Sequence, residues 1–196
     1  PAGLAAACAV VVVVGLPTAP GADAPPPPLL TARGDVEQPP LGVRVRCVAR
    51  VDGVDVVVGD TVAGARQHDG TLTCPDGGTL ALSFTNLGTT ARTAFLVGIG
   101  ADDDVIAIAP FARDAAGIVV PAGSVDVIAP TLAPMPTLDE RGATLHLLVG
   151  DGGDGLKGTD VFRQLEAAQR DRLPLSALDR LPVDVDVQAR VHLYPR

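Results

Sequence analysis

Cys47 and Cys74 are the two residues of this chain best able to react with each other, because an oxidising compartment lets two thiols join. Closing the loop between them would stabilise the fold by about 3.5 kcal/mol. Neither cysteine belongs to a CxxC pair, which argues against a metal or redox role. The sequence leaves two states open: a disulfide between neighbouring strands, or two buried free thiols.

The histidines His68, His146 and His192 fall in three separate predicted elements. Zinc sites often bring two imidazoles together through close spacing such as HxxxH or HExxH, and no such spacing occurs here. His146 and His192 take the less apolar face of their predicted strands, so we expect both rings to be solvated. The sequence predicts no zinc site.

Two groups of aspartates could offer oxygen ligands to calcium: residues 102–104, and Asp151 with Asp154 and Asp160. A calcium-binding loop places its acidic residues at fixed offsets and ends on a glutamate, and neither group has that pattern. We therefore predict solvated turns with no bound metal. The glycine-rich run 150–158 lacks the GxxxxGK[ST] pattern of a phosphate-binding loop, so no cofactor is predicted either.

The serines show no pattern that would activate a nucleophile. Ser83, Ser124 and Ser176 all lie outside any GxSxG turn, and Ser83 stands between core residues in the middle of a predicted strand. We predict that the protein is not an enzyme and has no catalytic, cofactor-binding or metal-binding residues. A hydrolase whose site is assembled from scattered residues is the alternative.

Composition and charge narrow the class of partner. Aromatic residues are only 3% of the chain, so its core must be filled by valine, leucine, isoleucine and alanine, of which valine favours strands. The net charge is −8, whereas a nucleic-acid-binding face needs clustered lysine and arginine. Arg44, Arg46 and Arg50 alternate along one predicted strand, but aspartates follow directly, which indicates a solvated face. We expect no nucleic-acid partner.

The first 40 residues differ in composition from the rest. Residues 2–16 are uncharged and apolar, somewhat fewer than the roughly 20 that span a bilayer, and residues 1–24 are interpreted as a truncated transmembrane helix. A signal peptide cleaved after the small-x-small motif of Ala22 and Ala24, or a helix buried in the domain, are the alternatives. Residues 25–40 are proline-rich and predict an extended linker, with a proline-motif ligand as the alternative.

Period-two alternation predicts strands over much of residues 41–196, which we interpret as one domain. In the run 79–85 the residues Leu80, Leu82 and Phe84 share one face, and 93–99 and 105–109 continue the pattern. The turn residues between these three strands predict an antiparallel meander. We expect further strands at 43–51, 54–58, 71–74, 118–120, 125–128, 143–149 and 183–193, and a loop at 129–136.

Two helices are expected near the C-terminus, at 159–172 with Thr159 as its N-cap and at 176–181 between two prolines. Many short strands with turns at close spacing favour a mainly β fold. We predict an antiparallel β-sandwich, Ig-like or jelly-roll-like, preceded by an apolar N-terminal helix and a proline-rich linker. The late helices are expected to cover one open end or edge of it.

Several motifs occur here in a familiar order: a valine-rich hairpin around Asp52-Gly53, Cys74-Pro75 followed by Gly78, the alternation 80–84, and the run 94–97 leading to Ala109-Pro110. With the closing helix and strand, residues 41–195 resemble a domain of unknown function found in GC-rich, myxobacteria-like bacteria. There the domain often follows a single membrane span that carries an anti-sigma-factor-like zinc finger or another signalling segment on its cytoplasmic side. The resemblance implies a signalling role and brings no catalytic residue.

These features predict a membrane-tethered, non-catalytic domain that binds or senses in the periplasm, on a single-pass inner-membrane protein. Its partners would be the membrane, through the apolar segment 2–16, and another protein. A secreted or periplasmic structural module without a signalling role is the alternative.

Overall fold

The computed structural model describes residues 40–65, 69–129, 132–135, 138–151 and 156–196. The apolar segment, the proline-rich linker and His68 therefore lie outside the described residues. None of the helices in the described part has the length and apolar character needed to cross a membrane. The described strands are β1 (Leu41–Val51), β2 (Val54–Gly64), β3 (Asp69–Cys74), β4 (Thr79–Asn86), β5 (Arg92–Gly100), β6 (Val105–Ala109), β7 (Ile118–Val120), β8 (Ser124–Ile128), β9 (Ala133–Pro134), β10 (Ala143–Asp151) and β11 (Val187–Pro195).

The strands form two sheets. Sheet A has the order β2-β1-β4-β8, with β9 also on β4, and all its pairs are antiparallel. Sheet B has the order β3-β11-β10-β5-β6, with β7 also on β5, and it is mixed because β3 runs parallel to β11. The prediction of a mainly β fold is confirmed. The prediction that its strands all pair antiparallel is wrong for β3.

The predicted meander over residues 79–109 is wrong at its first turn. β4 lies in sheet A and β5 in sheet B, so the chain crosses between sheets where a hairpin was expected. The buried side chain of Asn86 organises this crossing: its amide nitrogen donates to the carbonyl oxygens of Thr90 at 2.8 Å and Val120 at 3.1 Å, and its oxygen accepts from the Gly88 amide. The second half of the prediction is confirmed, because β5 and β6 form an antiparallel hairpin.

One hydrophobic cluster fills the space between the two sheets. Alternate residues of β1 and β4 point into it from sheet A, as the period-two pattern predicts, and alternate residues of β5, β10 and β11 enter from sheet B. Small branched side chains dominate because the chain has few aromatics. The central members are Val43, Val45, Leu80, Leu82, Phe84, Leu96, Leu145, Leu147, Val191 and Leu193.

The helix α1 (Gly158–Arg170) packs on the outer face of sheet B, the face turned away from sheet A. Its residues Val161, Phe162 and Leu165 cluster with Val97 of β5 and Leu148 of β10. The expectation that the late helices cover an end or edge is therefore wrong, because β5 is apolar on both faces and needs a third layer. The N-cap is Lys157, without a side-chain cap bond, where Thr159 was predicted.

Residues 173–186, which we call the strap, cross the outer face of sheet B between α1 and β11. The strap contains only the 3-10 turn Leu175–Ala177, so the helix predicted at 176–181 is wrong in type and extent. Its buried Leu175, Leu181 and Val183 join the cluster beneath α1. Val183 thus lies outside the core between the sheets, and the last strand begins at Val187, later than the predicted 183.

At one edge β2 of sheet A and β3 of sheet B lie very close together, because each has a glycine at the contact. A Cβ added to Gly59 of β2 would lie 2.8 Å from Leu72 Cδ1 of β3, and one added to Gly70 would lie 2.8 Å from Thr61 Oγ1. This close approach accounts for the length of β2, which continues to Gly64 beyond the predicted end at residue 58. The first half of β2 extends past this contact and is exposed.

Candidate functional site

His146 is the most unusual polar residue of the described structure. It lies on β10 between Val97 of β5 and Arg190 of β11 and is only 1% exposed, so the expectation that its ring is solvated is wrong. Within the described part of the chain, neither its Nδ1 nor its Nε2 has a hydrogen-bond partner. Burial, reinforced by the positive charge of Arg190, lowers the pKa of His146 to about 4.

Arg190 ties three elements together beside this histidine. Its Nε donates to Asp69 of β3 at 2.5 Å, and its Nη1 donates to Asp179 of the strap at 2.6 Å. The bond to Asp69 raises the pKa of Arg190 above its ordinary value. A cleft of about 270 Å³ opens here, and its walls include Arg180 and Gln188. Sequence reasoning missed this cluster, because the residues come from distant segments that only the pairing of β3, β10 and β11 brings together.

A second cleft, of about 230 Å³, is lined by residues of β5, β10, β11 and the strap. Its lining includes Arg141, Ser176, His192 and Tyr194. His192 is half-buried and its Nδ1 lies 3.2 Å from the hydroxyl of Thr144. This cleft offers hydroxyl, imidazole and phenol groups that can hydrogen-bond a small polar molecule.

Buried Gln188 holds the strap to β11 through both ends of its amide. Its oxygen accepts from the Leu181 amide at 2.8 Å, and its nitrogen donates to the carbonyl oxygens of Leu181 at 2.9 Å and Val183 at 3.2 Å. The Asp103 carboxylate accepts from the Ser176 amide at 2.6 Å, and Gln164 of α1 accepts from the Asp184 amide at 3.0 Å. The strap is therefore fixed by these hydrogen bonds and by two ion pairs, Asp179 with Arg190 at 2.6 Å and Asp186 with Arg92 at 2.8 Å, and it has no strand partner within the described residues.

A second candidate surface is the β1–β2 arm, residues 48–57, where this hairpin extends beyond its neighbours. Val51, Val54, Val56 and Val57 are between 42% and 63% exposed. In the described part of the chain β2 pairs only with β1, so the arm has an open edge. Clustered exposed apolar residues of this kind mark interaction surfaces.

The arginines of β1 lie on the outer face of sheet A and are engaged with neighbours. Arg44 donates from Nη2 to Asp60 at 2.7 Å, and this bond raises the pKa of Arg44. Arg46 lies 3.4 Å from the Ser83 hydroxyl, which donates to Asp126 at 2.9 Å. Arg44 and Arg46 are half-buried and Ser83 is fully buried, so this face is less solvated than predicted.

Cys47 of β1 and Cys74 of β3 form a disulfide. Of the two states that the sequence left open, a disulfide or two buried free thiols, the structure has the disulfide. Both residues are fully buried, and the bond links sheet A to sheet B. Gly78 is close to it, since an added Cβ would lie 2.8 Å from the sulfur of Cys74. The disulfide is therefore part of the core between the sheets.

The remaining candidates have structural contacts. Ser124 donates to the Pro121 carbonyl oxygen, Asp102 pairs with Arg141 at 2.9 Å, and Asp160 pairs with Arg163 at 2.7 Å. Asp151 pairs with Arg92 of β5. Asp154 lies outside the described residues. Among those that are described, no three His, Cys, Asp or Glu side chains are grouped to hold a metal ion.

These features define a disulfide-bonded, mainly β domain with two candidate surfaces: the strap region of sheet B and the β1–β2 arm. Comparison of the chain with protein-family models, with curated proteins and with solved structures finds no match. The function must therefore be argued from the residues themselves.

Proposed function

We propose that this chain carries an extracytoplasmic, non-catalytic binding or sensing domain that the apolar segment 2–16 tethers to a membrane, as in the signalling proteins it resembles. The Cys47–Cys74 disulfide is the observation that carries the proposal. Such bonds form and persist in exported proteins and are rare in the cytosol. A disulfide that is buried in the core and joins the two sheets supports a fold completed after export.

We further propose that the two sheets form a sandwich of Ig-like or jelly-roll-like type. Their shared core and the inter-sheet disulfide support this arrangement. The parallel pairing of β3 with β11 and the layer formed by α1 and the strap are additions to the simplest version of either type.

The β1–β2 arm is our candidate for the binding surface. The partner that the arm binds is an extended, apolar segment of another exported protein, which adds to β2 as a further strand. The open edge of β2 supports this choice, because a row of unpaired backbone amides and carbonyls is complementary to another strand. Val54 and Val56 lie on one face of this edge and Val57 on the other, so a strand with apolar residues on both faces fits it. The tip is separated from Leu41, where the chain enters sheet A, by the eleven-residue length of β1.

Fractionation of cells that express the chain tests the tether. We expect the domain in the membrane fraction and open to protease from outside, with Cys47 and Cys74 blocked against thiol reagents until reduction. Recovery in the soluble cytoplasm with both thiols reactive would contradict the proposal. Release after Ala24, read by N-terminal sequencing, would favour a secreted or periplasmic module, which the Ala22-to-Ala24 motif supports.

Site-specific photocrosslinking in cells tests the arm. A crosslinker placed at Val54 should capture an apolar, extended segment of another exported protein, and the change Val56→Asp should abolish the adduct. Val119 of β7 is a matched control, because it is 64% exposed and Val54 is 63% exposed. An adduct with a second copy of this chain, or equal capture at both positions, would contradict the proposed occupant.

A further inference from the structure

The buried imidazole of His146 indicates a regulatory feature that is separate from the binding proposed at the β1–β2 arm. Thr144, His146 and Leu148 alternate with core residues of β10, so all three lie on the outer face of sheet B. Flexible exposed histidines are common, but a ring that is 99% buried with both nitrogens unpartnered among the described residues is costly. That cost is smallest while the ring is neutral.

The ring lies beneath the layer formed by α1 and the strap. Its cross-strand neighbour Val97 and its strand neighbour Leu148 both belong to the cluster that contains Leu165 of α1 and Leu175 and Leu181 of the strap. Water therefore reaches the ring only if the covering layer moves.

The charged groups around the ring oppose a second positive charge. Arg190 lies directly across the β10–β11 ladder, and His192 follows two residues along β11. The carboxylates that act here, Asp69 of β3 and Asp179 of the strap, are hydrogen-bonded to Arg190. From β5 and α1 the residues turned towards this face are apolar: Phe95, Val97, Ile99, Val161, Phe162 and Leu165.

The strap is the part of the covering layer that can open with least loss. Apart from Leu175, Leu181 and Val183, its residues are exposed or half-buried, and it has no strand partner within the described residues. Its ion pairs, Asp179 with Arg190 and Asp186 with Arg92, have solvent-exposed carboxylates, and exposed pairs of this kind contribute little to stability. α1 is held by four buried side chains and its own backbone ladder. Segments with few buried contacts open locally at a lower free energy than the rest of a fold.

We propose that residues 173–186 are an acid-released strap: protonation of His146 detaches the strap from sheet B and exposes the apolar outer face of β5 and β10. The proton binds to a ring nitrogen, and opening lets water solvate the imidazolium beside Arg190. At neutral pH the ring is unprotonated and the strap stays closed. The device gives an exported domain a response to acidification, and it does not depend on the membrane tether or on the β1–β2 arm.

The size of the response follows from the difference between the closed and open environments of the ring. Burial lowers the pKa of His146 to about 4 in the closed form, while a solvated histidine titrates near 6.5. Between these values the open form binds the proton more tightly, so opening becomes easier as the pH falls. Between pH 7.5 and pH 5 the opening equilibrium should shift by about 30-fold.

Hydrogen exchange of the whole chain at pH 7.5 and pH 5, corrected for intrinsic chemical rates, tests the proposal. We expect the amides of Ser176, Leu181 and Asp184 to lose about 30-fold in protection at pH 5. The most protected amides of the β1–β4 ladder exchange only when the whole domain unfolds, and because unfolding also solvates His146 they should show a similar acid shift from a higher level of protection. Strap amides as strongly protected as this ladder at both pH values, or no loss in the strap at pH 5, would overturn the proposal.

Two histidine variants assign the effect. In His146→Leu the strap should be equally protected at both pH values, whereas His192→Gln, the matched control, should keep most of the response, because burial and Arg190 lower the pKa of His146 more than His192 does. A response that persists in His146→Leu, or disappears in His192→Gln, would overturn the assignment to His146. If His146→Leu does not fold, NMR titration of the unsubstituted protein decides: strap opening must follow the titration of the His146 ring, and agreement with His192 alone would refute the proposal.

Discussion

Removal of the Cys47–Cys74 disulfide tests whether the bond stabilises the fold mainly by restricting the unfolded chain. The two cysteines are 27 residues apart, and closing a loop of this length lowers the entropy of the unfolded state enough to contribute about 3.5 kcal/mol. Domains of this size are commonly stable by only about 5–15 kcal/mol, so the loss would be a large fraction of the total. The urea midpoint should fall by roughly 1–3 M.

The assay is urea unfolding of three proteins in a Cys8→Ala background, which prevents mispairing: the oxidised chain, Cys47→Ala, and the double variant Cys47→Ala/Cys74→Ala. If loop restriction dominates, the single and double variants should lose nearly equal stability, because the first substitution already breaks the bond. A loss below about 1 kcal/mol would refute the loop argument. A double variant that loses about twice as much as the single variant would show that packing of the two buried sulfurs dominates.

Three further predictions concern the turns, the helix layer and the pH response. Gly142 has φ +78°, and an added Cβ would overlap the carbonyl oxygen of Leu193. Gly53 has a similar φ of +82° but open space around it, so Gly53→Ala should destabilise by roughly 1–2 kcal/mol and Gly142→Ala by well above that. Equal losses of stability in urea unfolding would contradict the overlap. Leu165→Ala should destabilise the domain by about 2–5 kcal/mol in thermal or urea unfolding, because Leu165 is fully buried between α1 and sheet B. A loss under about 0.5 kcal/mol would show that α1 is not packed there. The depressed pKa of His146 contributes stability that is complete above about pH 6.5 and is lost as the pH falls towards about 4. Acidification from pH 7.5 to pH 4.5 should therefore lower the free energy of unfolding of the unsubstituted protein by about 2.5 kcal/mol more than that of His146→Leu, and parallel pH profiles would refute this.

Strand positions were predictable because period-two alternation is a local property of the sequence. β6 and β7 match their predicted bounds, and β4, β5 and β10 differ by one or two residues at an end. The partners of these strands were not predictable to the same degree. Residues 86–88 have the composition of a hairpin turn, but the buried Asn86 side chain uses its hydrogen bonds to carry the chain from sheet A to sheet B.

Of the two candidate sites, one was partly predictable from the sequence and the other was not. The arm was visible as a valine-rich hairpin around Asp52-Gly53, although its exposure depends on how far β2 extends past β3. The environment of His146 was not visible, because alternation places it correctly on the less apolar face of β10 but does not show that this face is covered. A signal that could have revealed this was the apolar character of both faces of β5, which requires a third layer.

By itself the sequence determined the type of structure: valine, leucine and isoleucine at alternate positions produce strands, and the spacing 161, 162, 165 and 168 produces one amphipathic helix. These patterns act between near neighbours, so they can be read without knowing the fold. Only the tertiary structure decided that Cys47 meets Cys74, that β3 joins β11 in parallel, and that the strap covers His146 beside Arg190. Those contacts join distant segments, and their selection depends on how two sheets and a helix bury their apolar faces together.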